Sequence, residues 1–166
     1  MPASNTYDSI QSITLTNATS TVTFSSIPQT YTDLVVASSN AVGPGGYAYT
    51  IRVNSDSGNN YSTTRMIGNG TSATSDRGSN QNWIYGGSVK SSTNPIGSLF
   101  LNLLNYSNTT TFKTILVRTN NDNANLAVSA GLWRNTAAIN SISIGAEFTT
   151  DFCVGSTFTL YGIKAA

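Results

Sequence analysis

The sequence predicts an all-β chain, folded as an antiparallel, jelly-roll-like β-sandwich with helix below about 10% of residues. Short stretches in which apolar and polar residues alternate recur along the 166 residues, and this period of two is typical of strands with one buried face. The chain contains 24 Thr, 23 Ser and 19 Asn. Threonine favours strands, whereas serine and asparagine favour turns. Glu147 is the only glutamate, although helical proteins draw heavily on this residue.

The clearest alternation lies in residues 139–163. Apolar side chains occupy every second position at 142–148 and again at 158–160, with turn residues at 149–151 and 154–156 between them. Two such runs joined by turn chemistry predict an antiparallel pair of strands. The apolar face of this pair requires a second sheet to cover it.

The remaining strands are predicted from the same pattern in chain order. Residues 33–38 are more uniformly apolar, with four consecutive apolar residues at 34–37, which indicates a strand covered on both faces. Residues 97–106 are the most apolar run; a helix is conceivable there, but Pro95, Gly97 and Asn105 favour a buried strand. The other predicted strands are residues 9–15, 21–24, 47–53, 61–67, 112–117 and 126–130.

Two segments between these strands stand out. Residues Gly68 to Gln81 contain almost no apolar side chain and are predicted to form the longest loop, of a length that is usually functional or forms an interface. Residues 83–89 are predicted to form a tight hairpin, because Gly86-Gly87 tolerates the positive φ that such turns need.

The predicted organisation is an N-terminal arm, residues 1–8, followed by a single β-sandwich domain, residues 9–166. The arm is polar and carries little that would fold by itself; it consists of Met1, Pro2, Ala3, Ser4, Asn5, Thr6, Tyr7 and Asp8. A chain of this length can bury one substantial core. The predicted buried set is Val35, Ile51, Leu101, Leu103, Ile115, Val117, Leu126, Val128, Ile142, Ile144, Phe158 and Leu160.

The composition argues against an enzyme and against a nucleic-acid or membrane partner. The chain has no histidine, so it cannot form a Ser-His-Asp or Cys-His arrangement. Charged residues make up 9% of the chain with a net charge of +1, and no basic cluster is present to bind phosphates. No apolar run approaches the roughly 20 residues of a membrane span. We therefore expect no catalytic residues and no cofactor.

Metal binding is weakly indicated. Zinc sites use cysteine and histidine, and the chain has one cysteine. Residues 54–58 alternate oxygen-bearing side chains ahead of Gly58, as calcium loops do, but Arg65 lies near the place of the closing acidic ligand. The simpler interpretation is that Asp56, Asp76, Asp122 and Asp151 form turns. We therefore expect no metal site.

Three aromatic residues are candidates for a ligand or interface site: Trp83, Tyr85 and Trp133. Stacked against a sugar ring, they would form a carbohydrate site, and aromatic residues are also enriched at protein interfaces. Core packing or a subunit interface is the commoner fate of such side chains. A host glycan remains the alternative ligand.

Several segments together resemble small virion structural proteins of tailed bacteriophages, particularly phages of aquatic bacteria and cyanobacteria. The resemblance covers most of the chain and is sharpest at residues 131–133, 135–139 and 158–163. The matching segments are SITLTNATSTVTFSSIPQTYTDLVV, IRVNSDSGNNYS, FLNLLNYSNTTTFKTILVRT, GLWRNTAAINSISI and GSTFTLYGIKAA. Residues 68–81 show no such resemblance.

The resemblance implies a non-enzymatic structural protein with no catalytic residues to transfer. It implies a capsid cement or decoration protein, with a tail-fibre component or a host-glycan-binding module as the alternatives. We expect synthesis in the host cytoplasm and a place on the outer surface of the virion. The expected partners are further copies of the chain, as a trimer, and the major capsid protein or other virion proteins, contacted through the arm of residues 1–8.

Overall fold

The computed structural model describes residues 6–40, 48–87, 97–120, 126–147 and 151–164. Within these ranges the chain forms strands and no helix, so no helix of the described part could span a membrane. The strands are β1 (Tyr7–Thr14), β2 (Thr21–Phe24), β3 (Asp33–Asn40), β4 (Tyr49–Val53), β5 (Tyr61–Gly68), β6 (Ala73–Gln81), β7 (Ile84–Tyr85), β8 (Gly97–Leu103), β9 (Lys113–Asn120), β10 (Leu126–Trp133), β11 (Ile142–Ala146) and β12 (Thr157–Ile163).

The strands form a large sheet in the order β1-β12-β3-β8-β9-β10-β5-β6 and a small sheet in the order β2-β11-β4-β7. Four antiparallel pairs are nested along the chain: β1 with β12, β2 with β11, β3 with β8, and β4 with β7. A ribbon of four such pairs, wound so that alternate pairs fall in opposite sheets, is an eight-stranded jelly roll. The predicted fold class is confirmed.

Two inserted hairpins extend this jelly roll on one side. Strands β5 and β6 are inserted between β4 and β7, and strands β9 and β10 between β8 and β11. The second hairpin pairs with β8 through β9, and the first joins it through the pairing of β10 with β5. The insertions therefore lengthen only the large sheet, which becomes twice as wide as the small one.

The predicted hairpin of residues 139–163 is wrong, because its two strands lie in different sheets. Strand β11 pairs with β2 and β4, whereas β12 pairs with β1 and β3. The alternation correctly identified both strands, and each buries its apolar face in the same core. Between the two strands, Phe152 is fully buried, and its backbone pairs with that of Thr19. This pairing lies where the chain passes from one sheet to the other.

The core lies between the two sheets and contains nine of the twelve residues predicted to be buried, and a tenth, Val35, is buried outside this core cluster. Leu126 and Val128 are the errors, since their side chains are 56% and 43% exposed. The inward positions of β10 belong instead to small residues, including Ala127, Ser129 and Gly131, and to Trp133. A Cβ on Gly131 would lie 2.6 Å from Ile84 Cδ1, so the close approach of β7 keeps larger side chains off this face.

The predicted loop of residues 68–81 is also wrong, because most of it is strand β6. This strand pairs with β5 along its length and forms one edge of the large sheet. The turn before it is short, and Asn69 Oδ1 accepts hydrogen bonds from the backbone N–H groups of Thr71 and Ser72. The strand is mostly exposed, so it needs no apolar alternation, and the sequence pattern therefore missed it.

Other expectations are resolved along the chain. The apolar run from Gly97 is the strand β8 rather than a helix. In the predicted hairpin of residues 83–89, Ile84 and Tyr85 pair with β4, and residues 88–90 lie outside the described part.

The N-terminal arm is shorter than predicted, because its last residues belong to the sandwich. Strand β1 begins at Tyr7, the carbonyl of Thr6 accepts a hydrogen bond from the Lys164 N–H at 3.2 Å, and Asp8 forms an ion pair with Lys164. Thr6, Tyr7 and Asp8 therefore belong to the sandwich, because their backbone completes the pairing with β12. Residues Met1, Pro2, Ala3, Ser4 and Asn5 lie outside the described residues.

Candidate functional site

The unequal width of the two sheets creates a groove at one side of the molecule. The small sheet ends at β7, where the Tyr85 N–H donates a hydrogen bond to Thr63 Oγ1 on β5 at 3.3 Å. Strand β6 and the end of β5 extend past this edge. The resulting cavity, which we call the overhang groove, has a volume of about 460 Å³ and is lined mainly by Thr63, Arg65, Asp76, Gln81, Tyr85 and Glu147.

An ion pair forms the floor of the overhang groove. Arg65 and Asp76 are directly opposite in the pairing of β5 with β6. Arg65 Nε donates to Asp76 Oδ1 at 3.0 Å and to Oδ2 at 3.2 Å, and an Nη2 hydrogen bond to Oδ2 completes a fork. The hydrogen bond that Arg65 donates to Asp76 raises the pKa of Arg65 despite its partial burial. Two oppositely charged groups are therefore held in one place with the guanidinium plane fixed.

Tyr85 forms the opposite wall of the groove. Its hydroxyl donates to Glu147 Oε1 at 3.1 Å, and the Arg65 guanidinium lies 5.2 Å from its ring centroid. Burial, followed by the hydrogen bond to Glu147, raises the pKa of the Tyr85 phenol. The phenol is therefore neutral at physiological pH. Glu147 is in turn fixed because its backbone N–H donates to the Ala48 carbonyl at 2.9 Å.

The structure brings two of the three predicted aromatic residues together and separates the third. Trp83 meets Tyr85 edge to face, with ring centroids 5.8 Å apart, and the Arg52 guanidinium lies 5.2 Å from the Trp83 ring centroid. Trp133 is 1% exposed and belongs to the core, so its role as a ligand residue is wrong. Each aromatic residue beside the groove packs against an arginine, and a sugar would meet hydrogen-bonding groups there as well as rings.

The Asp56 loop has the turn-forming role that the simpler interpretation predicts. Asp56 Oδ1 accepts the Gly58 N–H at 2.8 Å, while Oδ2 accepts Asn60 Nδ2 at 2.9 Å and the Trp133 indole N–H at 2.6 Å. Burial acts to raise the pKa of Asp56, but these three donors outweigh it and lower the pKa. Asp76, by contrast, pairs with Arg65 rather than forming a turn. No group of three or more metal-ligating side chains occurs among the described residues.

The sequence interpretation missed the charged residues of the groove. Arg65 lies two positions after Thr63 and four after Tyr61, both of which are buried, so it occupies an inward position of β5. This position was the available signal for a functional site. Only 9% of the chain is charged, so a charged residue on the inward face of a strand is unusual. Asp76 and Glu147 had no comparable signal, because their position depends on the pairing of β6 and on the end of β11.

The strand order places the chain among jelly-roll β-sandwich proteins, with the overhang groove at one sheet edge. No model of a known protein family matches the sequence, and no curated protein matches it. Among solved structures, the galectin LEC-6 of Caenorhabditis elegans is similar at a TM-score of 0.38 and 8% identity, over 93% of this chain and 96% of that chain. A mutant of the alginate lyase Aly36B with an alginate tetrasaccharide gives a TM-score of 0.29 at 8% identity, over 82% and 72%. Likeness at these scores carries no argument about function.

Proposed function

We propose that the protein is a non-enzymatic structural component of a bacteriophage particle, exposed on the outer surface of the capsid as a cement or decoration protein. The observation that supports this most is an apolar patch on the outer face of the large sheet, the face turned away from the small sheet. Its members are 40–64% exposed; they are Met66, Leu116, Leu126 and Val128.

These side chains form one continuous surface. Val128 on β10 is directly opposite Met66 on β5 and Arg118 on β9. The Arg118 guanidinium lies 4.6 Å from the ring centroid of Phe100, which lines a cavity of about 400 Å³ on this face together with Leu126. The patch therefore crosses three neighbouring strands and has a binding-sized depression at its margin.

Strand β10 reverses the usual orientation of a sandwich strand. Its larger aliphatic residues, Leu126 and Val128, point outward, whereas Ala127, Ser129 and Gly131 point inward. Isolated exposed apolar residues are ordinary, but a contiguous apolar patch is typical of a protein interface. The Arg118 guanidinium on this face already packs against Phe100, so burying the face against another subunit requires little further ion desolvation. We assign the patch to contact with a neighbouring copy or with a capsid protein.

The experiment is attachment to particles. Purified protein is added to phage particles that lack it, and occupancy is measured by sedimentation and by immunogold electron microscopy. The Val128→Lys variant places a charge in the patch and is expected to lose attachment. The matched control is Thr23→Lys, which alters an exposed strand position of the small sheet. Full occupancy by Val128→Lys, or gold label on the tail rather than the head, contradicts the assignment.

The self-association that we propose, as a trimer, is tested in the same variants by light scattering. The shortened arm, residues 1–5, is a second proposed contact. Deleting these five residues removes none of β1 and is expected to leave the fold intact while reducing attachment.

A further inference from the structure

We propose that the overhang groove is a binding site for a neutral saccharide of one or two sugar units, recognised mainly by hydrogen bonds. This goes beyond the structural role and is independent of it, since the groove and the apolar patch lie on different faces of the large sheet. The cavity of about 460 Å³ falls within the usual range of small-ligand sites.

The groove presents donors and acceptors side by side, which is the chemistry that sugar hydroxyls require. Arg65 supplies N–H donors, and Asp76 and Glu147 supply carboxylate acceptors. Each sugar hydroxyl both donates and accepts, so neighbouring hydroxyls can bridge from a carboxylate to a guanidinium. The Arg65–Asp76 fork and the Tyr85–Glu147 hydrogen bond fix these groups before a ligand arrives. Such preorganisation reduces the entropy that binding costs.

The charge balance argues for a neutral ligand. Arg65, Asp76 and Glu147 present their charged groups to the groove, so an anion would meet the two carboxylates, and a cation would meet the Arg65 guanidinium. A wholly apolar ligand would take the exposed parts of these charged groups out of water without offering them a hydrogen bond, which is costly. Asp76 already accepts a hydrogen bond from Arg65, and Glu147 accepts one from Tyr85. We therefore assign them to positioning of the ligand rather than to proton transfer.

Gln81 supplies an independent observation at the groove. Its Oε1 atom is buried and has no hydrogen-bond partner within the described part of the chain. A buried polar atom without a partner costs about 1–3 kcal/mol, and a turn of the Gln81 amide toward the groove would let a ligand hydroxyl satisfy it. The amide reaches this position because residue 78 is glycine: a Cβ there would lie 2.5 Å from Gln81 Oε1. The pairing of β5 with β6 is also irregular between Tyr61 and Thr63, and such bulges redirect side chains next to binding sites.

The test uses the full chain and amide chemical shifts from NMR. Glucose, galactose and N-acetylglucosamine are titrated to about 50 mM, since a small hydrogen-bonded site is expected to bind with Kd of about 1–10 mM. Galacturonate is the anionic comparison. We expect at least one neutral sugar to shift the amides of residues 63–65, 76–81 and 85, and to bind more tightly than galacturonate.

Three variants test the contacts. Tyr85→Phe removes only the hydroxyl that orders Glu147, and Gly78→Ala displaces the Gln81 amide; each is expected to weaken binding at least about fivefold, the equivalent of one lost hydrogen bond. Tyr161→Phe, on the distant strand β12, is the matched control and should bind like the parent chain. Tyr85→Phe preserves the test if Gly78→Ala fails to fold.

Three outcomes overturn the proposal: no sugar shifts the groove amides, galacturonate binds as well as the neutral sugars, or Tyr85→Phe binds unchanged. Because binding is measured on the isolated protein and attachment on particles, the failure of either proposal does not imply the failure of the other.

Discussion

The hydrogen bond between Trp133 and Asp56 is expected to be a major local source of stability. Trp133 is 1% exposed, and its indole N–H donates to Asp56 Oδ2 at 2.6 Å. A hydrogen bond to a charged acceptor contributes about 1.5–3 kcal/mol, and partial exposure of the carboxylate places this one near the lower end. Trp133→Phe also removes buried ring atoms, which adds roughly 1–2 kcal/mol of packing loss. We expect a total loss of about 2.5–4 kcal/mol.

A double-mutant cycle separates the hydrogen bond from the packing. Trp133→Phe, Asp56→Ala and the double variant are unfolded in urea at pH 7, and the coupling energy is expected to be about 1–2 kcal/mol. The pKa of Asp56 lies below its ordinary value of 3.8 in the folded protein. Its contribution is therefore complete above pH 3.8 and is lost as the pH falls through the lowered pKa. A coupling below about 0.5 kcal/mol at pH 7, or one that persists unchanged in strong acid, would refute this reasoning.

Three further predictions concern stability. Burial raises the pKa of Tyr61 from 10.0 to about 12, so its deprotonation should remove up to about 2.7 kcal/mol of stability as the pH rises from 10 to 12. Tyr61→Phe should make the alkaline decline in urea titrations shallower, and the remaining decline comes from other tyrosines such as Tyr49, whose pKa burial also raises. Gly131→Val places side-chain atoms against Ile84 and should cost about 1–3 kcal/mol or prevent folding, as circular dichroism melts will show. Val117→Ala should cost about 1–3 kcal/mol, whereas Val128→Ala should change the unfolding free energy by less than about 0.5 kcal/mol, because only Val117 is buried.

Strands in which apolar and polar residues alternate regularly could be predicted from the sequence, but the strands that they pair with could not. Ile142 and Phe158 were correctly placed inward, because period two depends only on local geometry. Which sheet receives each strand depends on pairings across the whole chain, as when β12 joins β1 from the opposite end. The jelly-roll class was predictable from the number and spacing of strands, whereas the hairpin of residues 139–163 assumed that sequential strands pair.

Strand β10 shows why the alternation of apolar and polar residues mispredicts the buried face where the two sheets approach closely. Leu126, Val128 and Ala130 alternate as an inward face would, yet they point outward. The inward set contains a glycine beside Ile84, and nothing local in the sequence announces that β7 will lie there. An alternation fixes which residues share a face, but packing decides which face is buried.

The two hairpin insertions account for both proposed surfaces. They widen the large sheet beyond the small one, and this leaves the inward face of β5 and β6 open as the overhang groove. The same widening presents the outward residues of β9 and β10 as a flat apolar face with no layer over it among the described residues. Neither surface would exist in an eight-stranded jelly roll without the insertions, because β5, β6, β9 and β10 supply most of the residues of both. The polar strand β6, which sequence patterns assign to a loop, is therefore the element that forms one side of the overhang groove.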